Sequence, residues 1–157
     1  MDNIIYIHTD GGARPNPGVG GIGIVIQYKG LTKEINDAFE LTTNNRMEIM
    51  SVIYALKFLN SKKIYQKCNE VQLFSDSQYV INTFKKKWIN VWEKNNWKNG
   101  NVKNIDLWKQ LLEEIQFYKV EWNWVKSHAD NENNCRCDAL ATQAIKSGIY
   151  KKDLGYK

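Results

Sequence analysis

The sequence predicts an α/β domain whose sheet mixes antiparallel and parallel neighbours. Three observations carry that prediction. Residues 3–9, 20–28 and 32–41 are β-rich runs joined by short, glycine-bearing connections, which favour antiparallel hairpins. A helical pattern over about 42–61 separates these runs from a further one at 70–75, and a strand–helix–strand unit makes parallel neighbours with a right-handed crossover. The first and fourth runs also end alike, in Thr9-Asp10-Gly11 and Ser75-Asp76-Ser77. Parallel pairing puts both aspartates at the carboxyl edge of the sheet, where α/β proteins build ligand sites.

Each element has its own signal. Residues 3–9 are β-branched and aromatic, as in a buried strand. The glycine- and proline-rich stretch Gly11 to Gly18 predicts a turn, and Gly30 another. Thr42 or Thr43 caps the first helix, whose stripe of Ile49, Val52, Ile53, Leu56 and Leu59 has helical spacing. Glu48 lies on the edge of that stripe, an awkward place for an idle charge. Helical segments follow from about Ser77 to Tyr118, broken near Asn99-Gly100-Asn101. A last strand spans Lys119 to Val125, with Val120, Trp122 and Trp124 predicted inward, and runs into a polar loop holding His128. The final helix, from about Asn134 to Lys146, buries Cys137, Leu140, Ala141, Ala144 and Ile145, with Asp138 on the flank of its stripe. His8, inside the first strand, is expected to be a packed side chain.

The 157 residues suffice for a single domain with a full core, with about 149–157 as a C-terminal tail. No apolar run is long enough to span a bilayer, and the N-terminus carries no export signal, so no membrane partner and a cytoplasmic location are expected. The initiating Met1 and a complete fold favour an independent protein. Cys68, Cys135 and Cys137 are odd in number and poorly spaced for zinc, which fits free thiols in a reducing compartment. The formal charge of +5 is matched by one segment alone, since Lys85 to Lys109 holds seven lysines against Glu93 and Asp106. Four of the six tryptophans, Trp88, Trp92, Trp97 and Trp108, share that segment, and cations interleaved with aromatics suit a phosphate backbone.

Four acids thus stand in four frames: H-T-D-G at Asp10, N-R-M-E at Glu48, F-S-D-S at Asp76 and C-R-C-D-A at Asp138. With T-T-N-N-R-M-E, D-S-Q-Y-V, V-K-N-I-D-L-W and W-V-K-S-H in the same order, the chain closely resembles bacterial-type type 1 ribonuclease H, to about Gly148. The resemblance implies a five-stranded mixed sheet flanked by α-helices on both faces. It implies an endoribonuclease that cleaves the RNA strand of RNA–DNA hybrids and leaves 5′-phosphate and 3′-hydroxyl ends. Asp10, Glu48, Asp76 and Asp138 match the family's metal-binding carboxylates, which implies two Mg²⁺ ions with substrate bound and Mn²⁺ as a substitute. His128 matches a loop histidine that assists proton transfer and product release.

Asn16, Asn44, Asn45 and Gln78 resemble the family's minor-groove contacts; amides that donate and accept suit a 2′-hydroxyl and base edges together. Thr43 and Asn104 match a phosphate pocket, with Arg46 a weaker member. Lys85, Lys86, Lys87, Trp88, Trp92, Lys94 and Lys98 resemble a basic protrusion that grips the DNA strand, with Trp92 against a deoxyribose, while Trp108 and Trp122 are expected in the core. Two departures stand out. Ser127-His128-Ala129-Asp130 replaces a glycine-bearing loop, and Cys135 replaces a glutamate near the metals, so slower turnover or altered metal preference is expected. A monomer is expected, because no exposed apolar stripe asks for a partner. A DNA-directed nuclease of the same superfamily lacks a reason for the groove amides, and a hybrid-binding module without catalysis would lack one of the acids.

Overall fold

The computed structural model describes residues 2–98, 100–126 and 131–157. Its strands are β1 (Ile5–Arg14), β2 (Gly18–Tyr28), β3 (Leu31–Thr42), β4 (Glu70–Ser75) and β5 (Lys119–Trp124). Its helices are α1 (Asn44–Ser61), α2 (Gln78–Lys85), α3 (Trp88–Lys94), α4 (Ile105–Ile115) and α5 (Glu132–Lys146), with a short 3₁₀ turn at Ile64–Gln66. The sheet order is β3-β2-β1-β4-β5: β1 pairs antiparallel with β2, β2 with β3, and β1–β4 and β4–β5 are parallel. This is the expected five-stranded mixed sheet.

Helices lie on both faces, and side-chain alternation along β2 decides which helix each residue meets. A Cβ on Gly20 would strike Thr42 and Met47 on the α1 side, whereas one on Gly23 would run into the Cys137 carbonyl of α5. Glycine at Gly23 thus lets α5 lie directly on the strand. The larger core fills the α1 face, where Ile5, Ile7, Ile22, Ile24 and Leu73 meet Ile49, Ile53, Leu56 and Trp108 with almost no exposure. Each such aliphatic side chain contributes about 1.5–3 kcal/mol of burial free energy. The α5 face buries a smaller group, Val25, Cys137 and Leu140.

Several expected boundaries shift. The run Gly11–Arg14 is not turn but the end of β1: pairing with β4 stops at Thr9 opposite Ser75, while pairing with β2 continues to Arg14 opposite Val19. Small residues are compatible with a turn and with close strand–helix packing, and packing decides here. Trp122 is buried, stacked on Phe84 at 4.1 Å, but Trp124 is 46% exposed, contrary to the inward expectation. It lies on an edge strand, and its indole N–H donates to the Asp76 carbonyl at 3.1 Å. Ile145 is only half-buried. His8 is buried as expected, stacked on Phe74 at 4.6 Å, and desolvation lowers its pKa to about 4. Among the described residues no helix is long and apolar enough to cross a membrane.

Residues after α5 pack back on the sheet. Lys151 N–H donates to the Ala38 carbonyl, and Glu40 N–H donates to the Lys151 carbonyl, both at 2.9 Å. Asp153 is buried against α1.

Candidate active site

Thr9 faces Ser75 in the parallel ladder, so Asp10 and Asp76 emerge side by side where β4 ends. Helix α1 brings the third acid. Thr43 caps it, its hydroxyl accepting from Arg46 N–H at 3.2 Å. Gly11 lets the helix approach β1; a Cβ there would sit 2.5 Å from the Met47 carbonyl carbon and 2.9 Å from the Glu48 nitrogen. Glu48 therefore enters beside Asp10, and carboxylate oxygens of Asp10, Glu48 and Asp76 lie within 4.8 Å of one another. Asp138, on α5, borders the same cavity of about 700 Å³, near enough for its charge to act on Asp10.

The electrostatics of this cluster are uncompensated. Burial, then the charges of Asp76 and Asp138, push Asp10 up to about 8. Burial, then Asp10 and Asp76, hold Glu48 well above the ordinary carboxylate range. Among the described residues no lysine or arginine is ion-paired to any of the four. Glu48 Oε1 is buried without a hydrogen-bond partner. Crowded hard oxygen donors with one left unpartnered fit a divalent cation, which Asp10, Glu48 and Asp76 could hold between them, with Asp138 at the border of the same cavity.

Around the acids, Asn16 Oδ1 accepts from Asn44 N–H at 3.0 Å, and Asn44 Oδ1 accepts from Ala13 N–H at 2.7 Å. These bonds join the β1–β2 turn to the start of α1. Asn44, Asn45 and Gln78 are exposed and border the cavity, and Asn16 is exposed beside it. Asn104 lies further off: its amide donates to Tyr79 Oη at 3.2 Å and its Oδ1 accepts from Arg46 at 3.4 Å. Arg46 is only 3% exposed and fully engaged, by Asp106 at 2.8 and 2.9 Å and by Asp153 at 2.6 and 2.8 Å. Burial works against its charge, but the two carboxylates outweigh it and raise its pKa. The guanidinium thus ties α1 to the start of α4 and to the residues after α5.

The basic segment stands apart from the cavity. Lys85 and Lys86 close α2, Lys87 opens α3, and all three are exposed, as are Lys94 and Lys98. Trp88 is 39% exposed, with Lys86 Nζ 5.6 Å from its ring centre. Trp92 is half-buried against Trp108 at 6.0 Å and Trp97 at 6.5 Å, so less of its ring is free than of Trp88. His128 and its neighbours Ser127, Ala129 and Asp130 lie outside the described residues. Cys135 is exposed, while the Cys137 thiol donates to the His8 carbonyl at 3.2 Å and burial raises its pKa.

The sequence reading passed over both basic residues of the cavity lining, Arg14 and Lys146. Their signal was spacing, four residues beyond Asp10 on a strand and eight beyond Asp138 on a helix, which keeps each on its acid's face.

The family model for RNase H matches residues 2–146. A protein named ribonuclease H from Shewanella baltica is 47% identical over 157 residues, covering 98% of this chain and 96% of that one. Ribonuclease H of a Thermoanaerobacter species is 50% identical over 147 residues, covering 92% and 91%. Among solved structures, LC11-RNase H1 in complex with RNA/DNA hybrid aligns with a TM-score of 0.73 at 26% identity, covering 92% of this chain and 98% of that one.

Proposed function

The chain belongs to the ribonuclease H family and is an endonuclease of that family, and from that premise we propose that it hydrolyses the RNA strand of RNA–DNA hybrids with two divalent cations, leaving 5′-phosphate and 3′-hydroxyl ends. The observation that carries this reading is the convergence of Asp10, Glu48 and Asp76, from β1, α1 and β4, within 4.8 Å. When bound, Mg²⁺ supplies Lewis-acid stabilisation of charge on the phosphate and activation of the attacking water. The chain's part is to hold the four carboxylates together against their repulsion, with Gly11 fixing the approach of Glu48.

Recognition in this reading falls to the exposed amides. Asn16 and Asn44 spend their carbonyl oxygens on backbone N–H groups, which leaves their amino groups to donate to 2′-hydroxyls and base edges, and the exposed side chains of Asn45 and Gln78 present both amide groups. Lys85, Lys86, Lys87 and Trp88 bind the DNA strand, with Trp92 behind them. Thr43 and Asn104 contact phosphate from the first turn of α1 and the start of α4. His128 carries a proton at its imidazole nitrogen, on its chemistry alone. The reading includes a monomer acting as a single domain, since all four acids come from one chain, and a cytoplasmic location.

Strand-labelled cleavage tests it. Hybrid, duplex RNA and duplex DNA are offered with and without Mg²⁺; the expected result is cutting of the RNA strand of the hybrid alone, and only with the cation. Cutting of the DNA strand, or of hybrid in excess chelator, overturns the reading.

A further inference from the structure

The cavity that gathers the acids is bordered by two cations, Arg14 and Lys146. Arg14 ends β1 and Lys146 ends α5. The two elements run the same way past β2. At one level Asp10 pairs with Gly23, which abuts the Cys137 carbonyl. Two residues on, Gly12 pairs with Gly21, where a Cβ would lie 2.7 Å from the Ala141 carbonyl oxygen and 2.9 Å from Ile145 Cγ1. The direction from Asp10 to Arg14 is therefore also the direction from Asp138 to Lys146. Four strand residues advance about 13 Å, and eight helix residues about 12 Å. Both cations thus stand at one end of the cavity, at similar distances from the acids.

Both side chains are exposed. Neither makes an ion pair or a side-chain hydrogen bond among the described residues, unlike Arg46, Arg136 and Lys151, which all do. Their position answers a physical difficulty. A cavity of four carboxylates repels a polyanion, and unpaired cations at its end offset that repulsion for whichever strand lies along it. A strand carries a charge every ~3.4 Å of duplex axis, so this offset amounts to a few nucleotides.

We propose that Arg14 and Lys146 bind backbone phosphates of the RNA strand, a few nucleotides to one side of the bond that is cut. They face the cut strand because they share a wall with the acids, whereas Lys85, Lys86 and Lys87 do not border this cavity. The assignment rests on the hybrid-cleaving reading above.

The test is fluorescence anisotropy of a labelled hybrid with the full chain, without divalent cation, across ~50–200 mM salt. The proteins are the wild type, Arg14→Gln, Lys146→Gln, the double variant and Lys146→Arg. Each glutamine variant is expected to weaken binding about twofold to fivefold, and to flatten the slope of log affinity against log salt by about 0.9. Lys146→Arg keeps the wild-type slope. Neutral methylphosphonates placed in the RNA strand a few nucleotides from the cleavage site abolish the gap between wild type and double variant; the same change in the DNA strand leaves it. An unchanged slope in the double variant, or a gap abolished from the DNA strand, overturns the assignment. A wild type that cuts hybrid normally beside such results leaves the hybrid-cleaving reading standing, and a wild type that fails to cut hybrid removes that reading itself.

Discussion

Arg46 and Glu48 stand two residues apart at the start of α1, both buried, in opposite surroundings. Arg46 is enclosed by Asp106 and Asp153, and Thr42 donates a further bond to Asp153 at 2.7 Å. Glu48 faces Asp10 and Asp76, with one oxygen unpartnered. One turn of helix therefore carries a buried ionisable group that is answered by opposite charge and another that is not. Buried charge without compensation is expensive. A fold that satisfies one cluster and leaves its neighbour open separates the charges that hold the chain together from those kept for a ligand.

The sharpest way to break this contrast is to neutralise one acid on the open side. Asp76→Asn is expected to lower hybrid cleavage at saturating Mg²⁺ by about a hundredfold to a thousandfold or more, while hybrid affinity stays close to wild type. Single-turnover cleavage beside anisotropy reads both, and wild-type rates in the variant dismantle the metal-holding assignment.

On the paired side the loss falls on stability. Arg46→Ala leaves Asp153 buried and uncompensated and is expected to cost about 3–5 kcal/mol in urea unfolding. Arg46→Met with Asp153→Asn loses less than Arg46→Met alone, because no unpaired buried charge remains. Equal losses would show that the network acts through packing alone.

The smallest effect is in pH, and it separates the clusters by sign. Asp10 is pushed up to about 8, so the unfolded chain gives up this proton first. Its stabilisation is complete below the ordinary carboxylate value near 4 and is lost as pH rises through about 8. Metal-free protein should lose several degrees of thermal midpoint over that interval; Mg²⁺ should remove the trend, and Asp10→Asn should reduce it to the part that Glu48, also held high by burial, contributes. Asp106, held low by its bond to Arg46, behaves oppositely: its contribution is present above the ordinary carboxylate value and is lost in acid. A midpoint independent of pH from 4 to 8 without metal would contradict the burial of Asp10.

Much of this was legible in the sequence because it is local. The matching Thr9-Asp10-Gly11 and Ser75-Asp76-Ser77, the cap at Thr43 and the stripe of α1 follow from short-range spacing, and they set where Asp10, Asp76 and Glu48 meet. The glycines were visible, but whether Gly11–Arg14 turned or continued as strand depended on α1 and α5 packing against them. Trp124 alternates correctly yet is exposed, because a period of two says nothing about what covers an edge strand. The Arg46–Asp153 pair spans more than a hundred residues of chain, and no local pattern announces it. Arg14 and Lys146 had a signal in their spacing from known acids, although only the register between β2 and α5 brings them to one end.

The return of the chain along β3 has one more effect. β3 is an outer strand, and its free side at Ala38 and Glu40 is occupied by the main chain of Lys151, while Lys33, Glu34 and Asp37 spread charge along it. An open margin of this kind is where a second chain adds itself and aggregation begins. Covered at one end and charged along the rest, this margin is a poor template, so the segment that sends Asp153 to α1 also guards the sheet against growth through Lys151.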